Sequence, residues 1–466
     1  MPADPLRFPY RNELNMPVVG LEAEFRVFVD GVEVVPEEYW KTPAAFITRP
    51  LLERSRKSSQ MPTGGAVYFD GGVLEVVTPV IEMAPQCTAR AVRSLWEQIG
   101  FVRDQLDGWQ RRNAKDVRLE AFSCHFNISY ELAREERNRN RTIQKLALLL
   151  AYLLPMPVLV CGANRRSSGM GVRPRRDRIE ITLDFTPDPG MMAATTALIV
   201  GVVRDVIFWP SYRVEELEAR GLPILAGVTP GKHATRNGWV TRDFHFARNP
   251  FTTGVDEEVW PTTDGRTLSM RAIALEIATA FRESIRRWSD PFSYRLLFSI
   301  LRGDTPSLLD LDDRPPAYQD VGREVRWGTS LPELHNYAEL MSDEPAAEPE
   351  REPRRRTSDI EEKLAPPWRG ESTGRREHVT LPSRIERRDA PERRSGTPST
   401  SPRLGRSAYE RVFRQLGSGK RLQIGRELLT PVGVRGWYHA VFRNARGEER
   451  VLSIDQVLEH ANGWRA

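Results

Sequence analysis

The run from Met16 to Val29 constrains the fold most, because apolar and other residues alternate along it with the period of a β-strand. Residues two apart on a strand share a face, so Glu22 and Glu24 project together, away from Leu21 and Ala23. Neighbouring carboxylates repel each other and cost desolvation energy unless a proton or a cation separates them. A solvent-facing sheet edge explains the pair equally well, but hard divalent ions such as Mg²⁺ prefer these oxygen ligands.

The composition excludes several classes of protein. The chain has 466 residues, enough for two or three domains, and 40% of them are hydrophobic. The 68 basic and 63 acidic side chains are mixed along the chain, which does not predict specific nucleic-acid binding. Three cysteines without CxxC spacing argue against a disulfide framework or a zinc site. The N-terminus lacks an apolar leader and no apolar run reaches about 18 residues, so we expect a soluble cytoplasmic protein without a membrane contact.

The composition changes sharply near residue 342 and divides the chain into four predicted parts. Residues 1–15 are an N-terminal arm, and residues 16–341 form the main domain. Residues 342–407 are rich in Pro, Arg, Glu and Ser and cannot bury enough apolar surface to offset their ordering entropy, which predicts a disordered linker. Residues 408–466 form a small C-terminal α+β domain of unknown role. We expect the main domain to remain folded when residues 342–466 are removed.

Periodicity predicts an α+β fold, in which antiparallel strands with polar residues on one face are covered by long helices. The predicted strands and hairpins cover 16–29, 32–35, 67–79, 119–130, 177–185, 430–442 and 449–454. The predicted helices cover 87–110, 143–154, 191–209, 268–288, 292–302 and 409–416.

Two further strands carry residue types suited to chemistry. Glu75 lies in the middle of a predicted strand between Leu74 and Val76, where a lone acid is costly unless it is paired. His125 and Asn127 share one strand face, which also carries Ser123. A strand histidine is often a hydrogen-bonded core residue, so at this point the metal-ligand role and the structural role remain equally supported.

The stretch 164–180 is rich in Gly, Ser and Arg, and it predicts a loop that leads into a strand where Arg178 and Glu180 face the same way. Guanidinium groups bind carboxylates and phosphates through two oxygens at once, although basic surface loops are common. The acids and the histidine together predict a site for two divalent ions beside arginines that neutralise phosphate, as phosphoryl transfer requires. No Walker or kinase glycine loop is present, so an ATP site here is of another kind.

The order of these motifs resembles the glutamine synthetase clan, and in particular its carboxylate-amine ligase (amidoligase) branch related to glutamate–cysteine ligase. The motifs are the Gly20-Leu21-Glu22-Ala23-Glu24 strand, Leu74-Glu75, His125-Phe126-Asn127 and Arg178-Ile179-Glu180. The resemblance spans about residues 16–310 and includes Asn237-Gly238-Trp239 with Arg242-Asp243.

The resemblance implies an antiparallel sheet curved into a saddle, with ATP and Mg²⁺ or Mn²⁺ in its concavity. It implies an enzyme that phosphorylates the carboxylate of an amino acid or another acid and forms an amide when an amine attacks the acyl phosphate. The implied metal ligands are Glu22, Glu24, Glu75, His125 and Glu180. The implied nucleotide contacts are Asn127, Ser129, Arg165 and Arg173, and the implied catalytic arginines are Arg165, Arg173 and Arg178.

One departure concerns the substrate. The related strands commonly read Arg-Ile-Glu-x-Arg, whereas this chain has Thr182 at the last position, so Arg175 or Arg176 takes that role or the acid differs. The alternatives are a metal-dependent small-molecule kinase on the same scaffold and a non-catalytic peptide-binding relative. The linker and the C-terminal region allow a protein partner, and a homo-oligomer is compatible with the pattern.

Overall fold

A computed structural model describes residues 16–55, 58–132, 140–233, 237–310, 406–436 and 439–465. The predicted arm and residues 342–405 of the predicted linker lie outside this described part. All described residues belong to one unit of contacts.

The strands alternate in sequence with the helices. They are β1 Val18–Val29, β2 Val32–Val34, β3 Leu52–Ser55, β4 Ser58–Gln60, β5 Ala66–Asp70, β6 Val73–Val77, β7 Ile81–Glu82, β8 Val117–Ser129, β9 Met170–Pro174, β10 Arg178–Asp184, β11 Gly231–Lys232, β12 Trp239–Thr241, β13 Trp260–Pro261, β14 Thr267–Leu268, β15 Arg421–Ile424, β16 Glu427–Arg435, β17 His439–Arg443, β18 Glu449–Ser453 and β19 Trp464–Arg465. The helices are α1 Pro36–Tyr39, α2 Cys87–Asn113, α3 Ile143–Leu153, α4 Pro155–Gly162, α5 Pro189–Val206, α6 Glu215–Ala219, α7 Met270–Ala280, α8 Arg282–Trp288, α9 Pro291–Arg302, α10 Ala408–Gly417 and α11 Ile454–Glu459.

The large sheet runs in the order β18-β17-β16-β3-β4-β5-β6-β1-β8-β10-β9-β12-β11. Within this sheet only the short pairing of β16 with β3 is parallel. The predicted turn after β1 is present, and Asp30 and Gly31 both have positive φ (50° and 81°), as a tight hairpin turn requires.

Helices cover the apolar face of the central strands, with α2 against β1 and β6 and α5 against β8. Leu21, Ala23 and Phe25 are buried on this face. The ring of Phe185 lies 5.6 Å from that of Phe25 and 5.3 Å from that of Trp96 in α2. The predicted α+β architecture of an antiparallel sheet covered by helices is therefore confirmed, and its apolar core leaves the opposite face of the sheet to the polar side chains.

Three predicted elements differ from the structure. Residues 170–174, predicted as loop, form strand β9, because the backbone pairs with both β10 and β12. The helix predicted over 268–288 is two helices, and Phe281 between them leaves helical geometry and stacks on Trp209. The strand predicted over 430–442 is the antiparallel pair β16 and β17, and Gly436 after β16 has a φ of 57°.

The C-terminal residues share a core with the main sheet. Val18 of β1 and Val80 pack in the same hydrophobic cluster as Tyr409, Phe413 and the other apolar side chains of residues 409–457. Helix α10 is also held by charges, since Arg93 of α2 forms a fully buried ion pair with Glu410. This region is therefore packed onto the sheet by both apolar and charged contacts.

One helix within the described residues, α5, is long and apolar enough to cross a membrane by length and composition. Its mean hydropathy is 1.2, but 83% of it is buried inside the fold. Helices α3 and α4 meet the same criterion only as a pair, and that pair is bent by 62°. Core helices of large folds show the same combination of length and burial, and α5 packs against α2, α8 and α9.

We expect the native thiols to resist labelling. Cys87, Cys124 and Cys161 are free and fully buried, and burial raises the pKa of all three, that of Cys87 to about 12. Because the thiolate is the reactive form, labelling by an aromatic disulfide reagent should be roughly 100-fold slower in the native protein than in denaturant. Fast native labelling of any of the three would contradict this packing.

Candidate active site

The strand register places the polar residues in rows across the sheet. In one row Tyr68, Glu75, Glu24, Ser123 and Asp184 lie opposite one another on β5, β6, β1, β8 and β10. This row brings together two predicted metal ligands and three residues that the sequence analysis did not assign to the site.

The next row aligns Glu22 with His125, Thr182 and Gly171, on β1, β8, β10 and β9. A Cβ on Gly171 would lie 2.6 Å from Thr182 Oγ1, so a larger residue has no room there. Thr182, the departure from the related motif, thus occupies the position next to the histidine.

Three predicted ligands converge. One donor atom each from Glu22, Glu75 and His125 lies within 4.8 Å of the other two, and all three side chains are buried or partly buried. His125 Nδ1 is 2.9 Å from Glu22 Oε2, and its Nε2 is 3.5 Å from Glu24 Oε1. Two carboxylate oxygens and an imidazole nitrogen form a donor set that Mg²⁺ or Mn²⁺ accepts.

The electrostatics of this cluster also favour a cation. Burial raises the pKa of Glu75, and the facing carboxylate of Glu22 raises it further. Burial acts in the same direction on Glu22, but the hydrogen bond and charge of His125 outweigh it and lower the pKa of Glu22. Burial disfavours the imidazolium of His125, yet the carboxylates of Glu22 and Glu24 raise its pKa overall. Without an ion, protons neutralise this cluster, and a divalent ion supplies the same compensation.

Two hydroxyl groups orient the acids. Tyr68 Oη donates a 2.6 Å hydrogen bond to Glu75, and Ser123 Oγ donates one to Glu24. Tyr68 lies beside Glu75 because β5 and β6 form a hairpin, and Ser123 lies beside Glu24 because β8 is the neighbour of β1. The alternation along β5 and β8 predicts the sheet face on which Tyr68 and Ser123 lie. Their position beside the acids depends on which strands pair, which the alternation does not predict.

Glu180 lies in a separate cluster with arginines. It is fully buried and accepts hydrogen bonds from Arg175 Nε at 2.9 Å and Arg175 Nη2 at 3.2 Å, and it pairs with Arg173. Arg173 Nη2 is in turn 3.3 Å from His125 Nε2. Glu180 is therefore a neighbour of the three convergent donors through Arg173, and its role as a metal ligand stays a prediction.

Asn127 and Arg178 form a pair, with Arg178 Nε donating to Asn127 Oδ1 at 2.7 Å. Asn127 is fully buried, and its Nδ2 has no hydrogen-bond partner in the described part of the chain. A buried amide donor without a partner is costly, which suits a site completed by a bound acceptor. Ser129, two residues further, has a structural environment: its Oγ accepts from Val18 N at 2.8 Å and donates to Glu131.

A cleft of about 550 Å³ opens on this face of the sheet. Glu24, His125 and Arg173 line it together with Arg166 and Ser168 of the loop before β9. Two further carboxylates, Asp70 and Asp184, and the half-exposed ring of Phe122 also line it. Among the described residues of the loop it is Arg166, rather than the predicted Arg165, that contributes to the lining.

The cleft therefore borders the acid cluster through Glu24 and His125 and adds arginines and two separate aspartates. Comparisons with known proteins do not by themselves assign a role to it. No protein-family model matches the chain, and no curated protein matches it in sequence. Among solved structures, the complex between the prokaryotic ubiquitin-like protein Pup and its ligase PafA is similar with a TM-score of 0.41. The sequences are 11% identical, and the match covers 96% of this chain and 92% of that chain.

Proposed function

We propose that this chain is an ATP-dependent carboxylate–amine ligase whose active site is the cleft on the polar face of the sheet. The observation that carries the proposal is the convergence of Glu22, Glu75 and His125 within 4.8 Å, next to Arg173. These three side chains would hold a divalent ion, with Glu24 close by. When bound, the ion neutralises the phosphate oxygens of ATP during transfer.

The arginines and the amide bind the anions. Arg173 and Arg178 lie beside the acid cluster and supply fixed positive charge toward a transferring phosphoryl group. Asn127 Nδ2 offers a donor to the nucleotide. Arg166 is the arginine that we assign to the substrate carboxylate, because it lines the cleft and Arg175 is not among the lining residues.

The reaction proceeds in two steps. The substrate carboxylate attacks the γ-phosphorus of ATP to form an acyl phosphate and ADP. The amine then attacks the acyl carbon, phosphate leaves and a proton passes from the nitrogen to a base, which gives the amide. Phosphorylation is needed because a carboxylate is a poor electrophile and a poor source of a leaving group.

We expect Asp70 to be the base that accepts the amine proton. It is exposed at the end of β5 and lines the cleft, so it can pass a proton to solvent, whereas Asp184 is partly buried and accepts two hydrogen bonds from Asn164, at 3.0 and 3.2 Å. Asp70→Asn should lower the rate of amide formation by about 100-fold, within the usual contribution of general base catalysis. Asp184→Asn is the matched control and should change the rate less than about tenfold at unchanged ATP affinity. If Asp184→Asn lowered the rate more than Asp70→Asn does, Asp184 would be the base.

The proposal is tested by ADP release from ATP with Mg²⁺ or Mn²⁺, in the presence of pools of amino acids, amines and peptides. Substrate-stimulated release that is lost in Glu22→Ala supports it, and mass spectrometry of the products then separates an amide from a phosphorylated acid. A phosphorylated small molecule as the stable product would replace the ligase with a kinase. No ATP binding with either ion would refute both enzymes and favour a non-catalytic binding scaffold.

A further inference from the structure

A second cleft, of about 860 Å³, lies in the helical layer where the ends of α5, α6 and α8 meet. It shares no lining residue with the candidate active site. Helices α5 and α8 approach closely here, because Gly201 leaves room for Ile285, whose Cγ1 would lie 2.4 Å from a Cβ at that position. The walls of the cleft are therefore held by tightly packed helices, although its rim is exposed.

Two arginines of the cleft are held over tryptophan rings. The guanidinium carbon of Arg220 is 4.0 Å from the ring centroid of Trp209, and that of Arg287 is 4.9 Å from the ring of Trp288. Trp209 is itself fixed, since it stacks on Phe281 and donates its indole N–H to Asp205 at 2.9 Å. A stacked guanidinium keeps its in-plane N–H donors for oxygen ligands, with less rotamer freedom left to lose on binding.

The charged side chains that line the cleft predict an anionic ligand. In the described part of the chain, Arg220, Arg286 and Arg287 have no carboxylate within ion-pair distance, whereas Arg204 is paired with Glu131. Two carboxylates also line the cleft: Asp205, which accepts from Trp209, and Glu283, which lies 3.7 Å from Arg282. Three guanidinium groups around one concavity, without a carboxylate partner among the described residues, fit a ligand with several oxyanion oxygens.

We propose that this cleft binds a phosphorylated small molecule with an aromatic ring, of the nucleotide class. Its volume is that of a ligand site, the three arginines match a phosphate group, and the ring of Phe208, 61% exposed at the cleft, offers a stacking surface. It would be a binding site without chemistry, because its two carboxylates are not arranged around a metal and it holds no histidine. The site would act beside the ligase activity and does not depend on it.

The test is calorimetric titration with AMP in the absence of divalent ions. AMP lacks a γ-phosphate, and without a divalent ion we do not expect it to bind the metal-dependent site. We expect Arg286→Ala/Arg287→Ala to weaken binding by at least about tenfold. Arg282→Ala is the matched control, since this arginine lies on the same helix but does not line the cleft, and it should stay within about twofold. Absence of AMP binding, or equal binding by the double variant, would overturn the proposal.

Two further experiments show where the ligand binds and define its chemistry. Asn127→Ala, which removes the donor that we assign to the nucleotide on the sheet, should bind AMP like the unaltered chain, and a loss of binding there would assign AMP to the sheet. Inorganic phosphate should bind at least about tenfold more weakly than AMP, because it lacks the ring that stacks on Phe208. Equal affinities for phosphate and AMP would refute the aromatic part of the proposal. If an acidic peptide displaced AMP at a concentration below that of AMP, the ligand would be a protein partner instead of a small molecule. A chain that binds no ATP with either ion but still binds AMP here would refute the ligase and keep this site.

Discussion

Glu75→Gln is expected to abolish metal-dependent ATP turnover while leaving the metal-free protein as stable as before. Burial and the nearby carboxylate of Glu22 raise the pKa of Glu75, which favours a proton on the metal-free side chain, and glutamine has the charge and nearly the shape of that protonated form. A metal ion needs the ionised carboxylate, which glutamine cannot supply. The turnover rate should fall by at least about 100-fold, about 2.7 kcal/mol in activation free energy.

The measurement pairs the ADP release rate with the free energy of unfolding in a chelator. The free energy of unfolding in denaturant should stay within about 1 kcal/mol of that of the unaltered chain. Glu33→Gln is the control, because Glu33 is an exposed acid on β2 whose nearest arginine contact is 4.0 Å long, and both readouts should stay unchanged. Turnover by Glu75→Gln at the original rate would remove Glu75 from the metal site.

Glu410→Ala is expected to destabilise the fold by about 3–5 kcal/mol, the usual result of leaving one partner of a buried ion pair alone. Arg93 and Glu410 are both fully buried, and Glu410 also closes the capping box at the start of α10 through Ser407. Equilibrium unfolding of the full chain measures the change. For the same reason, removal of residues 406–466 should unfold the main sheet, since it would expose Val18 and Val80 as well as Arg93. The shared core thus replaces the expectation from the sequence that the main domain stays folded without residues 342–466.

Glu427→Ala provides the comparison within the same region. Its carboxylate is half exposed and lies 3.4 Å from Arg450, which is also half exposed. Exposed pairs contribute little, so the unfolding free energy should change by less than about 1 kcal/mol. If Glu410→Ala were as mild as this control, the C-terminal region would not depend on the buried pair. A soluble, folded chain that ends at residue 405 would show in addition that residues 16–310 do not need the shared core.

The strand alternation accounts for much of the site. It predicted that Glu22 and Glu24 share a face, and that His125 and Asn127 do so on another strand, and the structure places both pairs on the polar face. Period-2 patterning fixes the face because it follows from backbone geometry alone. The hairpin between residues 16–29 and 32–35 depends on a different signal, since the Asp30-Gly31 dipeptide between them tolerates positive φ.

The sequence did not predict which strands are neighbours in the sheet. Tyr68, Ser123 and Asp184 join the acids only through the register of β5, β8 and β10, which depends on the whole sheet. Strand β9 brings Arg173 across from Glu180, and the glycine-rich pattern of residues 164–174 did not predict this strand. The shared core of Val18 with the C-terminal residues likewise joins segments about 400 residues apart, which local patterning does not detect.

The most direct test of the central claim is Mn²⁺ binding, followed by the paramagnetic signal of free Mn²⁺ during titration with and without ATP. The unaltered chain should bind Mn²⁺ and bind it more tightly with ATP, and Glu22→Gln should weaken that binding by at least about tenfold, as loss of one charged ligand requires. Equal Mn²⁺ binding by the two proteins, or none by either, would contradict a metal-dependent active site built on Glu22, Glu75 and His125.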